Sequence, residues 1–173
     1  MKKVTAILLG LCMILTLTAC GSANGDNNAG QGGPISEKIT ITLGDTGAEV
    51  TIPAELGFEA IEKMGNEFSG GGPSGEWAIT ANTKLKSEYV GYTLEKFAEL
   101  VAQTFNGEMA QDTNGNYNLT YSTVDSNGNP CKVYCCVREG AEKYYLVEFH
   151  CISDYWDQYV DMFTEWATTV EVK

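Results

Sequence analysis

Apolar and polar positions along the chain alternate with the period of a strand in several short stretches and with the period of a helix in two longer ones. Ile39, Ile41 and Leu43 alternate with Thr40 and Thr42, the pattern of a half-buried strand. Gly44-Asp45-Thr46-Gly47 supplies turn chemistry, and Val50 and Ile52 resume the alternation until Pro53 ends the ladder. This predicts a hairpin. Over 54–66, Phe58, Ile61 and Met64 recur at helical spacing, against the weakening effect of Gly57 and Gly65. Residues 69–75 read as a loop, and 76–81, with Trp77 and Ile79 on one side, as a third strand. Thr93 is a good N-cap for a helix over 94–105, with Phe97, Leu100, Val101 and Phe105 on one face and Asn106-Gly107 as its stop. Three strands follow near 117–124, 131–138 and 144–151. A last helix starts at Ser153 or Asp154 and runs to about residue 168. Its apolar stripe holds Trp156, Tyr159, Val160, Phe163 and Trp166, and Asp154 and Asp157 suit its first turn. Residues 170–172 add a short terminal strand.

The loops between the three consecutive strands set their register. Ser126-Asn127-Gly128 suits a three-residue hairpin loop with the glycine left-handed, and 140–142 is a poorer loop of the same length. Tyr121 then faces Val133, Val133 faces Phe149, and Cys131 faces Cys151. One face of this meander reads Leu119, Tyr121, Val133, Cys135, Val137, Tyr145, Val147 and Phe149, which is a core. The other carries Tyr134, Cys136, Tyr144 and Leu146 among Lys132, Arg138, Glu148 and His150. That second face is too apolar at its centre to lie bare, so cover is expected on both sides. The expected domain is α+β, an antiparallel β-sheet with helices packed on it. Its order of elements over most of residues 37–173 resembles the PsbP-like domains and the lipoproteins that share their fold. The resemblance lies in the opening hairpin, the helix after Thr93, the meander and the closing helix with Phe163 and Trp166. It implies an α/β/α sandwich with an accessory or binding role, and it carries no catalytic residue across.

The amino terminus has a different character. Met1-Lys2-Lys3, an apolar run over 4–16 and Leu17-Thr18-Ala19-Cys20 resemble the lipobox of a bacterial lipoprotein signal peptide. The resemblance implies cleavage before Cys20 and acylation of that cysteine by chains such as palmitate. A transmembrane helix is the rival reading. The run is shorter than the roughly 20 residues a span needs, and no basic stop follows it. Two or more acyl chains hold a protein stably, whereas one anchors only marginally. Residues 21–33 hold five glycines and three asparagines and no β-branched or aromatic side chain. Such a segment buries too little apolar area to offset its ordering entropy, and it predicts a flexible tether spanning roughly 20 Å. The chain thus divides into a signal peptide (1–19), a lipidated cysteine with its tether (20–35) and a single α+β domain (36–173).

Charge narrows the partners. The 173 residues carry a net charge of −12; without Lys2 and Lys3, 9 basic residues face 23 acidic ones, or −14. Such a surface repels phosphate backbones and anionic headgroups, so nucleic acid is excluded as a partner and the membrane is reached through Cys20 alone.

Several patterns invite chemistry. Gly70-Gly71-Gly72-Pro73-Ser74-Gly75 matches G-x-G-x-x-G, but a dinucleotide loop must open a helix, and here a strand follows. Asp112-x-Asn114-x-Asn116 and Asp125-x-Asn127-x-Asn129 begin like calcium loops, yet lack the glycine and glutamate at the sixth and twelfth positions. They read as turns at opposite ends of one strand. The domain cysteines are Cys131, Cys135, Cys136 and Cys151. The register brings Cys131 and Cys151 within reach of a disulfide, and buried inert thiols are the other reading. The single histidine, His150, lies on a strand beside Glu148 and reads as a paired residue.

Together these features predict a lipid-anchored protein of the bacterial cell membrane, facing outside the cytoplasm. It is expected to be a non-catalytic binding or accessory lipoprotein with no cofactor and no metal. Its partner would be another protein or a small molecule. The expected contact surface is Tyr134, Arg138, Tyr144, Glu148 and His150, or the loop at 69–75. The alternative is a small envelope enzyme, either a thiol oxidoreductase or a hydrolase built on His150 with Cys136 or a serine as nucleophile.

Overall fold

A computed structural model describes residues 37–64 and 67–173. The expected signal peptide, Cys20 and the tether lie outside the described residues. Among those described, no helix is long and apolar enough to cross a membrane.

Strands β1 (Lys38–Thr42) and β2 (Ala48–Pro53) form the expected hairpin, and β10 (Glu171–Val172) pairs with the other edge of β2 to complete a three-stranded sheet. The Thr46 hydroxyl fixes the hairpin turn, donating to the Leu43 carbonyl at 2.6 Å and accepting from the Ala48 amide at 3.1 Å. The main sheet is antiparallel and seven-stranded. It is built from β3 (Glu59–Met64), β4 (Glu67–Gly71), β5 (Trp77–Leu85), β6 (Glu108–Gln111), β7 (Tyr117–Val124), β8 (Pro130–Glu139) and β9 (Lys143–Ile152), in the order β3-β4-β5-β9-β8-β7-β6.

Helix α1 (Leu94–Phe105) has the predicted limits because both of its ends are set locally. The Thr93 hydroxyl accepts from the Lys96 amide at 3.3 Å, and Asn106 turns left-handed at φ 51° so that the Gly107 amide returns to the Ala102 carbonyl at 2.8 Å. Helix α2 (Trp156–Ala167) follows a short 3-10 turn at Ser153–Tyr155. The two helices lie on opposite faces of the main sheet. On one side α1 presses Phe97, Ala98 and Val101 onto Leu119, Val133, Cys135, Val137 and Leu146. On the other, Phe163 and Trp166 of α2 join Leu43, Val50 and Ile52 of the small sheet over Ile79, Val147 and Phe149. The sheet is therefore covered on both faces, and the architecture is α+β as the patterning predicts.

Three elements differ from the sequence reading. Residues 54–64, the described part of the expected helix, are not α-helical: a 3-10 turn at Ala54–Leu56 is ended by Gly57 at φ 64°, and the chain then runs into β3. The segment at 69–75 is not all loop, since β4 extends to Gly71 and only the next residues form the turn. Strand β6 went unread because all four of its residues are exposed and give no apolar alternation.

The fourth difference governs the site. The β7–β8 register is as predicted, with Tyr121 opposite Val133 and Leu119 opposite Cys135. The β8–β9 register is displaced by one residue: Val133 pairs with His150, and Cys131 with Ile152. The Gly140 amide bonds the Lys143 carbonyl at 2.9 Å, so the connection is a two-residue turn at Ala141 and Glu142 rather than a three-residue loop. A slip of one residue exchanges the two faces of a strand. Tyr144, Leu146, Glu148 and His150 therefore face α1, while Tyr145, Val147, Phe149 and Cys151 face α2.

Candidate functional site

The register separates the five residues expected to form one contact surface. Tyr134 and Arg138 lie on the α2 face and Tyr144, Glu148 and His150 on the α1 face. Tyr144 belongs to the core. It is 1% exposed, stacks on Phe97 with ring centroids 4.3 Å apart, and donates its hydroxyl to the Tyr92 carbonyl at 2.8 Å. Arg138 is also buried and spends its guanidinium on the backbone. Its Nη1 donates to the Tyr117 and Val137 carbonyls and to Asn118 Oδ1, and its Nη2 reaches the Ala167 carbonyl at the end of α2 at 2.9 Å. Tyr134 packs half-buried beside the α2 core. Arg138 and Tyr144 hold the fold together and do not present a surface, and Tyr134 is only partly accessible.

Glu148 and His150 remain, and they are joined by Tyr121, expected only as a core residue, and by Thr80, to which the sequence gives no role. Glu148 Oε1 accepts from the Tyr121 hydroxyl at 2.5 Å, and Oε2 accepts from Thr80 Oγ1 at 2.9 Å. Thr80 Oγ1 also lies 2.8 Å from His150 Nε2, which is 3.5 Å from Glu148 Oε2. Each partner is placed by the sheet. Thr80 is opposite Glu148 in the β5–β9 ladder, and Phe105, at the end of α1, stacks on the Tyr121 ring with centroids 4.6 Å apart. The sequence held no signal for this set, because its members come from three strands and meet only in the correct register.

Glu148 is 6% exposed and His150 8%. Burial pushes the Glu148 carboxyl up, but the hydrogen bonds from His150, Tyr121 and Thr80, together with the charge interaction with His150, outweigh it and hold the group below the ordinary glutamate range. An ionised Glu148 only accepts, so Thr80 donates its one proton to it and takes the His150 Nε2–H. The other ring nitrogen, Nδ1, is buried without a hydrogen-bond partner.

The sign of the Glu148 shift gives a pH prediction. A carboxyl depressed in the folded state stabilises the fold above its unfolded value, about 4.3, and loses that contribution as pH falls through the folded value. Glu148→Gln is therefore expected to be about 1–3 kcal/mol less stable than the parent at pH 7. The difference should shrink steadily in urea titrations between about pH 5 and pH 3. A gap that stays constant with pH would contradict an ionised Glu148.

The other candidate groups fall into structural roles. All four described cysteines are free and buried. Cys131 and Cys151, expected to face one another, lie on opposite faces, because the register pairs Cys131 with Ile152 and Cys151 with Lys132. Burial pushes their thiols up, that of Cys151 to about 11, and it pushes Cys136 to about 12 and raises Cys135 well above the ordinary range. Such thiols are protonated and poor nucleophiles. Cys136 also lies on the face opposite His150, so the two cannot act as a pair.

Gly70–Gly75 ends β4 and forms the turn into β5, with no helix start to meet a phosphate. Asp112 and Asp125 both build asparagine-glycine turns. Asp125 Oδ1 accepts from the Asn127 and Asn129 amides at 2.9 and 2.8 Å, and Oδ2 from Asn129 Nδ2 at 2.8 Å. Asp112 repeats the pattern with Asn114 and Asn116. Burial opposes ionisation at both carboxyls, but these bonds prevail and keep both low. Their oxygens point at N–H donors, the wrong partners for a cation. Among the described residues no three metal-ligating side chains converge.

No protein-family profile matches the chain, and no curated protein matches it significantly. Solved structures do. Cyanobacterial PsbP from Synechocystis is 13% identical, with 91% of this chain and 99% of that one aligned at a TM-score of 0.50. The Ran-binding protein Mog1p of Saccharomyces cerevisiae is 8% identical, with 80% of this chain and 96% of that one aligned at 0.53. A Bacteroides thetaiotaomicron protein is also 8% identical at 0.53, aligned over 80% of this chain and 48% of its own length. The domain has an α+β fold similar to that of PsbP and Mog1p.

Proposed function

We propose that this chain is a membrane-anchored, extracytoplasmic bacterial lipoprotein of binding or accessory type, held by acyl chains on Cys20 and not itself catalytic. The address rests on the lipobox-like stretch Leu17-Thr18-Ala19-Cys20 after a basic start and an apolar run. The binding role rests on the Glu148 network. Its hydrogen bonds are consumed within the sheet, so its polar groups stiffen a surface instead of being aimed at a reacting atom. Beside it, Thr80 and Asn82 of β5 and Ser69 of β4 are only half-buried, on the face that α1 shares. That Mog1p, a protein of similar fold, is a Ran-binding protein is in keeping with the reading.

The competing reading is a hydrolase using His150, and it draws on the unpartnered Nδ1. It needs a nucleophile beside His150, whereas Cys136 is on the other face and the hydroxyl that reaches the ring, Thr80 Oγ1, donates its proton to Glu148. A photo-crosslinking residue at Asn82 in intact cells tests the binding role. A discrete adduct that is absent when the crosslinker stands at the exposed Thr164 of α2 is expected. No adduct, or the same adducts from both positions, would remove this face as the contact surface.

A further inference from the structure

Sheet edges present unpaired amides and carbonyls, and folded proteins blunt them with lysine, proline, bulges or very short strands. Among the described residues, three of the four outer strands are treated in this way. Strand β3 has a register shift between Ala60 and Glu62, β1 carries Lys38, and β10 is two residues long. Strand β6, Glu-Met-Ala-Gln, has no lysine, no proline and no break in its register with β7, and all of its residues are exposed. The orientation of its backbone follows from the hairpin. The Asp112 amide donates to the Asn116 carbonyl at 2.9 Å, so Ala110 and Glu108, of the same parity, turn their polar groups towards β7. Met109 and Gln111 turn theirs outward.

The surroundings of this edge are acidic on both sides. Glu108 lies on the face away from α1. On the other face, α1, which carries Glu95 and Glu99, packs against β6 and β7, and Gln111 donates to the Tyr117 hydroxyl at 3.1 Å. Met109, 37% exposed, adds an apolar contact on that face.

We propose that β6 receives an extended, lysine- or arginine-bearing segment of a partner protein as an eighth strand of the sheet. Main-chain bonds to Met109 and Gln111 supply attachment, and the glutamates on either side select basic side chains. The inference rests on the binding role above and gives it a partner class. Crosslinking at Asn82 reads a different surface, so failure of one and failure of the other are separate results.

The test uses the full chain in detergent micelles and a fluorescent heptapeptide alternating lysine with valine or threonine, beside its glutamate counterpart, at about 50 mM salt. The lysine peptide is expected to bind and the glutamate peptide not to. Met109→Pro, which removes an outward amide without breaking the β7 ladder, should weaken binding about tenfold. Joint reversal of Glu95, Glu99 and Glu108 to lysine should weaken it at least as much. In the unaltered chain the Met109 and Gln111 amides should gain protection from hydrogen exchange when peptide is added. Unchanged exchange at both amides, or equal binding of the two peptides, would overturn the proposal even if Met109→Pro did not fold.

Discussion

Arg138→Ala is expected to lower stability by about 3 kcal/mol and the melting temperature by roughly 10 °C. The cause is the set of groups left behind. Arg138 serves the Tyr117, Val137 and Ala167 carbonyls and Asn118 Oδ1 from a position 4% exposed. Ala167 closes α2, where the last carbonyls have no partner within the helix and the helix dipole favours a cation. Without the guanidinium, the end of α2 and the start of β7 lose their shared donor together. Arg138→Lys keeps the charge but not the planar fork, so it should recover only part of the loss. Urea titration of the three proteins checks this order. An alanine variant as stable as the parent would mean that the Arg138 bonds contribute nothing net.

Gly71→Ala should cost a similar amount, about 2–4 kcal/mol, by a different route. A Cβ at Gly71 would stand 2.4 Å from the Trp77 carbonyl oxygen and 3.1 Å from Ala78 Cα. Both are backbone atoms of the neighbouring strand, so no side-chain rotation relieves the contact. The β4–β5 ladder would have to open, beneath the Trp77 ring that meets Trp166 edge-on at 5.2 Å and Phe58 at 6.4 Å. Gly72 is constrained by a side chain instead, since its Cβ would lie 2.6 Å from Trp77 Nε1. Gly128→Ala is the control: nothing lies within 4 Å of a Cβ there, and the only penalty is the left-handed backbone at φ 82°, about 1 kcal/mol. Equal losses from Gly71→Ala and Gly128→Ala would show that close packing of the glycine turn does not matter.

What could be read from the chain follows the range over which each feature is determined. Thr93 and Asn106-Gly107 set the limits of α1 by bonds within a few residues, and the left-handed Gly128 fixed the β7–β8 register. The β8–β9 register had no such marker. The turn at Ala141-Glu142 uses no left-handed residue, and β9 is buried on both faces from Tyr144 to Cys151, Glu148 and His150 included, so it offers no solvent-facing side to orient it. That one residue carried the errors at the site: it placed Glu148 and His150 beside Tyr134 and Arg138, and Cys131 beside Cys151. The roles of Thr80, Tyr121 and Arg138 depend on segments far away in the chain, and composition or spacing could not have shown them.

The proposed tethering of the domain outside the cytoplasm by its amino terminus is tested by growing cells with an alkyne-bearing palmitate and isolating this protein. Label is expected on the mature amino-terminal peptide beginning at Cys20, and it should be lost together with membrane association in Cys20→Ser. An unlabelled protein, or a Cys20→Ser chain that still sediments with membranes, would contradict it.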